Sequence, residues 1–135
     1  MQVKELSSNF SVDIYVAGQA TAGTPDEFTG FVAPFNMKIV AATWTPKSSI
    51  TANGTNYFTL TVRNRKGDAS GTAQSATRSY AATNSTALVP ESMTLSSTAS
   101  DLNLVTGDHL TIEKLVTGTG LAMPAGTVRV SIQGR

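Results

Sequence analysis

The chain has 135 residues, a length that fits one domain rather than two. It contains no cysteine and a single histidine, His109, which excludes disulfides, thiolate chemistry and metal sites built from paired histidines. Ten Lys and Arg against nine Asp and Glu give a formal net charge of +1, without the basic excess of a nucleic-acid-binding protein. Charged residues make up only 14% of the chain, against about 25% in typical proteins. Because Thr, Ser, Asn and Gln supply the remaining polarity, we expect a neutral surface suited to contact with other protein.

The beginning of the sequence predicts a short polar segment before the first strand. Residues 1–10 (MQVKELSSNF) lack the apolar stretch of a secretory signal, and no segment approaches the roughly 20 apolar residues of a membrane helix. We therefore expect a protein made in the cytoplasm, with no membrane partner. Residues 1–9 are predicted to form an N-terminal arm, and residues 10–135 a single β-sandwich domain.

The first predicted strand covers residues 11–16, where apolar and polar side chains alternate as in a half-buried antiparallel strand. Residues 17–26 (AGQATAGTPD) are small, polar and Gly-rich, which predicts a mobile loop. Residues 28–35 are rich in aromatic side chains but contain Gly30 and Pro34, which predicts a bent or edge strand. Residues 37–45 predict a longer strand that ends at Pro46. Since its apolar residues occupy both faces, we expect a central strand or one between subunits.

The later elements repeat this pattern. Alternation returns over residues 58–63 and 128–133, a strong strand is predicted over 110–116, and weaker ones over 77–82 and 87–95. Turn sequences such as Asn53-Gly54 and Gly107-Asp108 separate them, and residues 67–75 predict a long polar loop. No segment has convincing helical periodicity. About eight short strands with this spacing predict an all-β fold, a jelly-roll-like antiparallel β-sandwich.

The sequence offers little for catalysis. Asp108, His109 and Glu113 are the closest approach to a metal or acid–base cluster, and His109 and Glu113 share one face of the predicted strand. We interpret them instead as a hairpin turn followed by a strand end. Residues 118–123 (GTGLAM) begin like a dinucleotide-binding loop but lack its third glycine. We therefore expect no enzyme activity, no cofactor and no metal.

Two further groups have a binding alternative. The basic residues Arg63, Arg65 and Lys66 lie at a predicted hairpin end. A contact with nucleic acid or with an acidic protein patch is one interpretation, and a solvated turn is the one we adopt. Trp44 and the three tyrosines fit either stacking on sugars or packing in a core or interface. The sugar alternative predicts a carbohydrate- or receptor-binding module. An exposed Trp44 at its strand end is also a candidate protein contact.

Two stretches resemble small all-β head proteins of tailed bacteriophages. They are residues 30–47 (GFVAPFNMKIVAATWTPK) and residues 89–132 (VPESMTLSSTASDLNLVTGDHLTIEKLVTGTGLAMPAGTVRVSI). The similarity extends over roughly residues 28–133. It consists of the residue pattern and of short sequence segments, none of which is a catalytic motif. The family is that of capsid decoration, or cement, proteins. Under the carbohydrate- or receptor-binding alternative, the chain would instead be a module of a head fibre or tail tip.

This resemblance implies a jelly-roll or sandwich module, often a homotrimer, on the outer surface of the virion. Its partner would be the major capsid protein, whose subunits it bridges against the pressure of packaged DNA, with no nucleic acid or membrane bound. The predicted arm is our candidate for the part that reaches a capsid or neighbouring subunit. The candidate contact residues are Met1, Gln2, Val3, Lys4, Glu5, Leu6 and Trp44.

Overall fold

The computed structural model of this protein describes residues 9–135. Within that range the chain forms ten β-strands and a single 3-10 helix, Ala99–Leu102. The strands are β1 (Phe10–Val16), β2 (Asp26–Val32), β3 (Met37–Pro46), β4 (Tyr57–Asn64), β5 (Ala73–Ser79), β6 (Glu91–Ser92), β7 (Thr94–Leu95), β8 (Asn103–Leu104), β9 (His109–Thr117) and β10 (Gly126–Gly134).

The strands form two antiparallel sheets. The first sheet has the order β1–β10–β3–β6, with β8 also paired to β3, and the second has the order β2–β9–β4–β5–β7. All the pairings are antiparallel, and most join strands far apart in the chain. The two sheets pack as a sandwich, so the predicted all-β class is confirmed and the architecture is compatible with a jelly roll.

The core consists of the inward-facing side chains of both sheets. The alternating apolar residues of β1, β4 and β10 predicted from the sequence are buried, apart from Val12, which is partly buried. Complete burial of a side chain such as Phe58 contributes about 1.5–3 kcal/mol. The core residues contributed by the long strands are Ile14, Val16, Met37, Ile39, Ala42, Trp44, Phe58, Leu60, Val62, Leu110, Ile112, Val128, Val130 and Ile132.

A β-bulge explains why the β3 sequence has apolar residues on both faces. Ile39 pairs with Ile132 and Ala41 with Ser131, so Val40 is an extra residue between them. The bulge moves the inward-facing positions from odd to even numbers. Met37 and Ile39 therefore face the same core as Ala42 and Trp44. As predicted for a central strand, β3 is paired on both sides.

The segment predicted as one weak strand over residues 87–95 connects the two sheets instead. Its residues 91–92 form β6 beside β3 in the first sheet, whereas residues 94–95 form β7 beside β5 in the second. Met93, between them, is buried and donates its amide N–H to the Ala42 carbonyl at 2.9 Å. The strand prediction was too long here because the chain leaves one sheet for the other at this residue.

The predicted bend in the 28–35 strand is located at Gly30. The β2–β9 register shifts between Thr29 and Phe31, which leaves Gly30 as an extra residue. A Cβ atom at this position would lie 2.6 Å from the Leu110 carbonyl oxygen and 2.7 Å from the Ile14 Cδ1 atom. Glycine is needed here because β1 of the first sheet approaches the backbone of β2.

Candidate contact surface

Trp44 lies in the core rather than on the surface. It has no exposed area, and its indole Nε1 donates a hydrogen bond of 2.9 Å to the Tyr80 hydroxyl, which is also fully buried. The surface role predicted for Trp44 therefore requires exposure that the side chain does not have. The reason is the β3 bulge, which turns Trp44 inward. With both rings in the core, neither offers a face to a sugar.

The three candidate catalytic residues are held in separate structural contacts. Asp108 is buried and accepts hydrogen bonds from Asn64 Nδ2 at 2.9 Å and from the Val105 amide at 3.1 Å. Burial alone would raise the pKa of Asp108, but these bonds and the nearby Lys66 ammonium lower it overall. The imidazole Nε2 of His109 accepts from the Gly30 amide at 3.3 Å.

Glu113 belongs to an ion-pair cluster on the outer face of the second sheet. Arg63 donates to one of its oxygens through Nε and Nη2, and Arg65 donates to the other at 3.0 Å. Arg65 also donates to the two carboxylate oxygens of Glu27, through Nε at 2.7 Å and through Nη2 at 2.6 Å. The Arg65 hydrogen bond, together with one from Thr111, lowers the pKa of Glu27 from 4.5 to about 2.

The same two arginines hold the loop that follows β4. Arg63 donates to the Thr72 carbonyl at 2.8 Å and Arg65 to the Gly71 carbonyl at 3.2 Å. This loop ends earlier than predicted, because β5 begins at Ala73. The guanidinium groups of the basic cluster are thus occupied by Glu27, Glu113 and backbone carbonyls rather than open to a nucleic-acid phosphate.

Lys114 is a buried cation that the sequence interpretation missed. It is fully buried, its Nζ donates to Gln19 Oε1 at 2.9 Å, and it lies 5.7 Å from the centre of the Phe58 ring. Burial lowers the pKa of Lys114, partly opposed by Asp26. The signal was available in the sequence, since Lys114 has the same parity as the apolar residues Leu110 and Ile112 of its strand.

The outer face of the first sheet is lined by matched rows of side chains. Tyr15 pairs with Thr127 and Thr127 with Thr45, so these residues form one row across three strands. In the next row, Asp13, Arg129 and Thr43 occupy the corresponding positions. The Arg129 guanidinium binds the Asp13 carboxylate with bonds of 2.7 and 2.9 Å.

Leu88 lies beside this face in an unusual conformation. Its φ is +63°, and the residue is 71% exposed. For a residue with a Cβ this backbone region costs roughly 1–2 kcal/mol. The conformation is held by the Leu88 amide, which donates to the Pro46 carbonyl at 2.8 Å, and by the Val89 amide, which donates to the Thr86 carbonyl at 3.2 Å.

Leu88 and Tyr15, which is 68% exposed, border a hollow of about 310 Å³. A second hollow of about 430 Å³, lined by the Asp13–Arg129 pair and Pro90, adjoins it, and both are lined by Thr45 and Thr127. We call this surface the Tyr15–Leu88 face. It consists of Asp13, Tyr15, Thr43, Thr45, Lys47, Leu88, Pro90, Ala125, Gly126, Thr127 and Arg129.

The predicted arm contacts, Met1 to Leu6, lie outside the described residues, and their role remains a prediction. Within residues 9–135 no helix is long and apolar enough to cross a membrane. In the same range, no three His, Asp or Glu side chains are grouped as metal ligands.

The described architecture defines an antiparallel β-sandwich. No known family model matches the sequence, and no curated protein matches it as a relative. A chain of the cyanophage Pam1 capsid asymmetric unit is 18% identical, with a TM-score of 0.46, and the match covers 93% of this chain and 81% of that one. A chain of infectious bursal disease virus, Gx strain, is 12% identical, with a TM-score of 0.39. That match covers 93% of this chain but only 32% of the other.

Proposed function

We propose that this protein is a virion structural protein that binds the outer surface of a bacteriophage major capsid shell. In this proposal it stabilises the shell by bridging capsid subunits, it acts as a homotrimer, and it catalyses no reaction. The observation that carries the proposal is the Tyr15–Leu88 face, where an apolar side chain is held in solvent at a strained backbone angle.

The energetics of Leu88 favour contact with another protein. The positive φ costs free energy, and an exposed leucine side chain gains nothing from the folded monomer. Strain of this kind persists where the surrounding structure enforces it, and it is common at binding sites. Contact with a protein surface would remove Leu88 and Tyr15 from water and so offset the strain.

The ion pairs of the sandwich suit a protein that must resist mechanical stress. Arg63 and Arg65 join β4 to β9, β2 and the 65–72 loop, so their charges hold elements of the same chain together. Glu113 and Asp108, the candidate acids, are both neutralised within such contacts. This arrangement supports a rigid scaffold.

The resemblance of residues 28–133 to cement proteins supports a capsid shell as the partner. A protein that binds only the assembled shell stabilises that state by mass action. Three copies joined together add the effect of multivalency, because each bound copy raises the local concentration of the next. The arm residues Met1 to Leu6 remain our proposed capsid contacts.

The test is binding to undecorated shells. Shells assembled from the major capsid protein encoded in the same phage genome are mixed with the full chain and sedimented. We expect the chain to sediment with the shells and to raise their melting temperature. The proposal is wrong if saturating protein neither sediments with the shells nor changes their melting.

Two arm variants refine this test. Deletion of residues 1–9 should leave the sandwich folded, because β1 begins at Phe10, and should weaken co-sedimentation. A chain with residues 2–8 in scrambled order is the matched control for length and composition. If both variants sediment with shells as well as the wild type does, the arm is not part of the capsid contact. The wider proposal is then tested by the shell assay alone.

A further inference from the structure

The side chains of Lys114, Gln19 and Asp26 form a hydrogen-bonded series. Lys114 Nζ donates to Gln19 Oε1 at 2.9 Å, and Gln19 Nε2 donates to Asp26 Oδ2 at 2.7 Å. Since an ammonium can only donate and a carboxylate can only accept, these two partners fix which atom of the Gln19 amide is the oxygen and which is the nitrogen. The amide therefore has its carbonyl group toward an amine and its nitrogen toward a carboxylate.

The backbone fixes the positions from which these three side chains extend. Lys114 in β9 is the register partner of Asp26 in β2. Gln19 belongs to the 17–26 segment that the sequence predicts to be mobile, but a β-bridge anchors it. Its amide donates to the Met123 carbonyl at 2.7 Å, and its carbonyl accepts from the Met123 amide at 2.9 Å. Strand pairing on one side and the bridge on the other thus bring the amine and the amide together.

The surroundings of Lys114 favour a nucleophilic amine. The residue has no exposed area, and its Nζ lies 5.7 Å from the centre of the Phe58 ring. Burial lowers the pKa of Lys114, and a desolvated lysine that has lost its proton attacks carbonyl carbon atoms. The carbon atom bonded to its hydrogen-bond acceptor is Gln19 Cδ. Lys114 is thus an amine without solvent contact beside an amide carbonyl group.

Asp26 is placed to carry a proton. Its Oδ2 already accepts a hydrogen bond from the Gln19 nitrogen, the atom that would have to leave as ammonia. The residue is exposed at the start of β2, so its carboxylate can exchange protons with water. A carboxylate in contact with a leaving group can act as general base and then as general acid.

We propose that Lys114 and Gln19 form an intramolecular isopeptide bond, with Asp26 as the proton carrier. Lys114 Nζ first loses one proton to solvent, and its lone pair then forms a bond to Gln19 Cδ. Asp26 takes a second proton from Nζ and gives it to Gln19 Nε2. The bond from Cδ to Nε2 breaks, and Nε2 leaves as ammonia. The products are one amide and one ammonia, Asp26 is again a carboxylate, and the step needs no oxidant and no other reactant.

This bond would join the two sheets covalently. Gln19 follows β1 of the first sheet, Lys114 lies in β9 of the second, and they are 95 residues apart in the chain. A crosslink across so long a segment restricts the unfolded chain, so the bonded protein should have a higher melting temperature. Until the bond forms, Lys114 remains an amine that titrates. The stability effects of that amine are therefore measured on freshly purified protein whose mass shows no loss.

The experiment measures the intact mass of the full chain, denatured for mass spectrometry after prolonged incubation of the folded protein at neutral pH. We expect a mass lower than that of the sequence by one ammonia. Cyclisation of an N-terminal Gln2, or of Asn53 onto its neighbour, also releases ammonia, so tryptic digestion must locate the loss. Because trypsin does not cleave after a bonded lysine, it should release residues 5–38 joined to residues 79–129.

Substitution of either reactant tests the assignment. Gln19→Leu and Lys114→Met each remove one partner of the bond, and both should abolish the joined peptide. Gln74→Leu and Lys47→Met make the same changes at exposed positions, and both should keep the joined peptide at the wild-type yield. Loss of the joined peptide in these two controls, or its persistence in the first two variants, would contradict the proposal.

Asp26→Asn tests the proton carrier, because an amide of the same shape cannot take up and release the proton. We expect formation of the bond to be slower by about tenfold or more, and formation at the wild-type rate would overturn the assigned mechanism. The whole proposal is overturned if wild-type protein, folded by circular dichroism, keeps the full sequence mass and yields only separate tryptic peptides. The shell assay tests the capsid role independently, since the bond forms in the free chain.

Discussion

Trp44 and Tyr80 join the two sheets through a hydrogen bond of 2.9 Å from the indole Nε1 to the phenol oxygen. Trp44 belongs to β3 in the first sheet, and Tyr80 directly follows β5 in the second. The phenol oxygen also lies 2.5 Å from Ser85 Oγ and 3.1 Å from Glu91 Oε1, and Arg78 binds the same glutamate at 2.8 Å. One hydroxyl thus links core packing to a polar network at the edge of the sandwich.

Tyr80→Phe should destabilise the protein. Removal of the hydroxyl leaves the buried Trp44 N–H without its acceptor, and an unsatisfied buried donor costs about 1–3 kcal/mol. The measurement is the free energy of unfolding from urea denaturation. Tyr15→Phe is the matched control, because Tyr15 is mostly exposed, and it should change stability little. Equal losses of unfolding free energy for the two variants would show that the buried hydrogen bonds of Tyr80 add nothing to stability.

Lys114→Met should raise the free energy of unfolding by about 1 kcal/mol or more, because replacement of a buried charge by an apolar side chain of similar size is often stabilising. Burial lowers the pKa of Lys114 from its usual 10.5. Between the lowered value and 10.5, the unfolded state binds more protons than the folded state, so this residue makes wild-type stability rise with pH.

The advantage of Lys114→Met over the wild type should therefore shrink as the pH rises toward 10.5. Urea denaturation of both proteins at neutral and alkaline pH measures this difference directly. Lys38→Met, at an exposed position of β3, controls for the loss of a positive charge. A difference between wild type and Lys114→Met that is independent of pH would argue against a desolvated ammonium.

Glu27→Gln should destabilise the protein at neutral pH and much less in acid. Since Arg65 holds the pKa of Glu27 at about 2, against 4.5 when unperturbed, its contribution is complete above pH 4.5. It is lost as the pH falls from about 4.5 to about 2. Partial exposure reduces the expected loss at pH 7 to about 1–2 kcal/mol. Asp13→Asn, which breaks a more exposed pair, should have little effect in the same denaturation series.

Leu88→Gly should leave the stability of the monomer unchanged or raise it by up to about 1 kcal/mol, because glycine adopts a positive φ without the steric cost. The comparison is made at concentrations at which both proteins are monomeric. Leu115→Gly, in the middle of β9, should instead lower stability, since glycine weakens a strand. A clear loss for Leu88→Gly would mean that Leu88 packs favourably within its own chain.

The candidate sites were only partly accessible to sequence reasoning. The strand that carries His109 and Glu113 was predicted, but their partners, Gly30 and the two arginines, come from distant segments. Leu88 was not singled out in the sequence; it lies in the segment predicted as a weak strand over residues 87–95. Its exposure and positive φ follow from hydrogen bonds to Pro46 and within the 86–89 turn, and neither leaves a local signature.

The amino-acid sequence by itself determined the all-β class and most of the long strands, because alternation between neighbouring residues is a local property. The same alternation contains the information that Lys114 shares a strand face with Leu110 and Ile112, although the sequence interpretation did not use it. Only the tertiary structure decided the order of the strands, the crossing between sheets at Met93 and the bulge at Val40. These depend on pairing between residues far apart in the chain, and a one-residue bulge is enough to move Trp44 from the expected surface into the core.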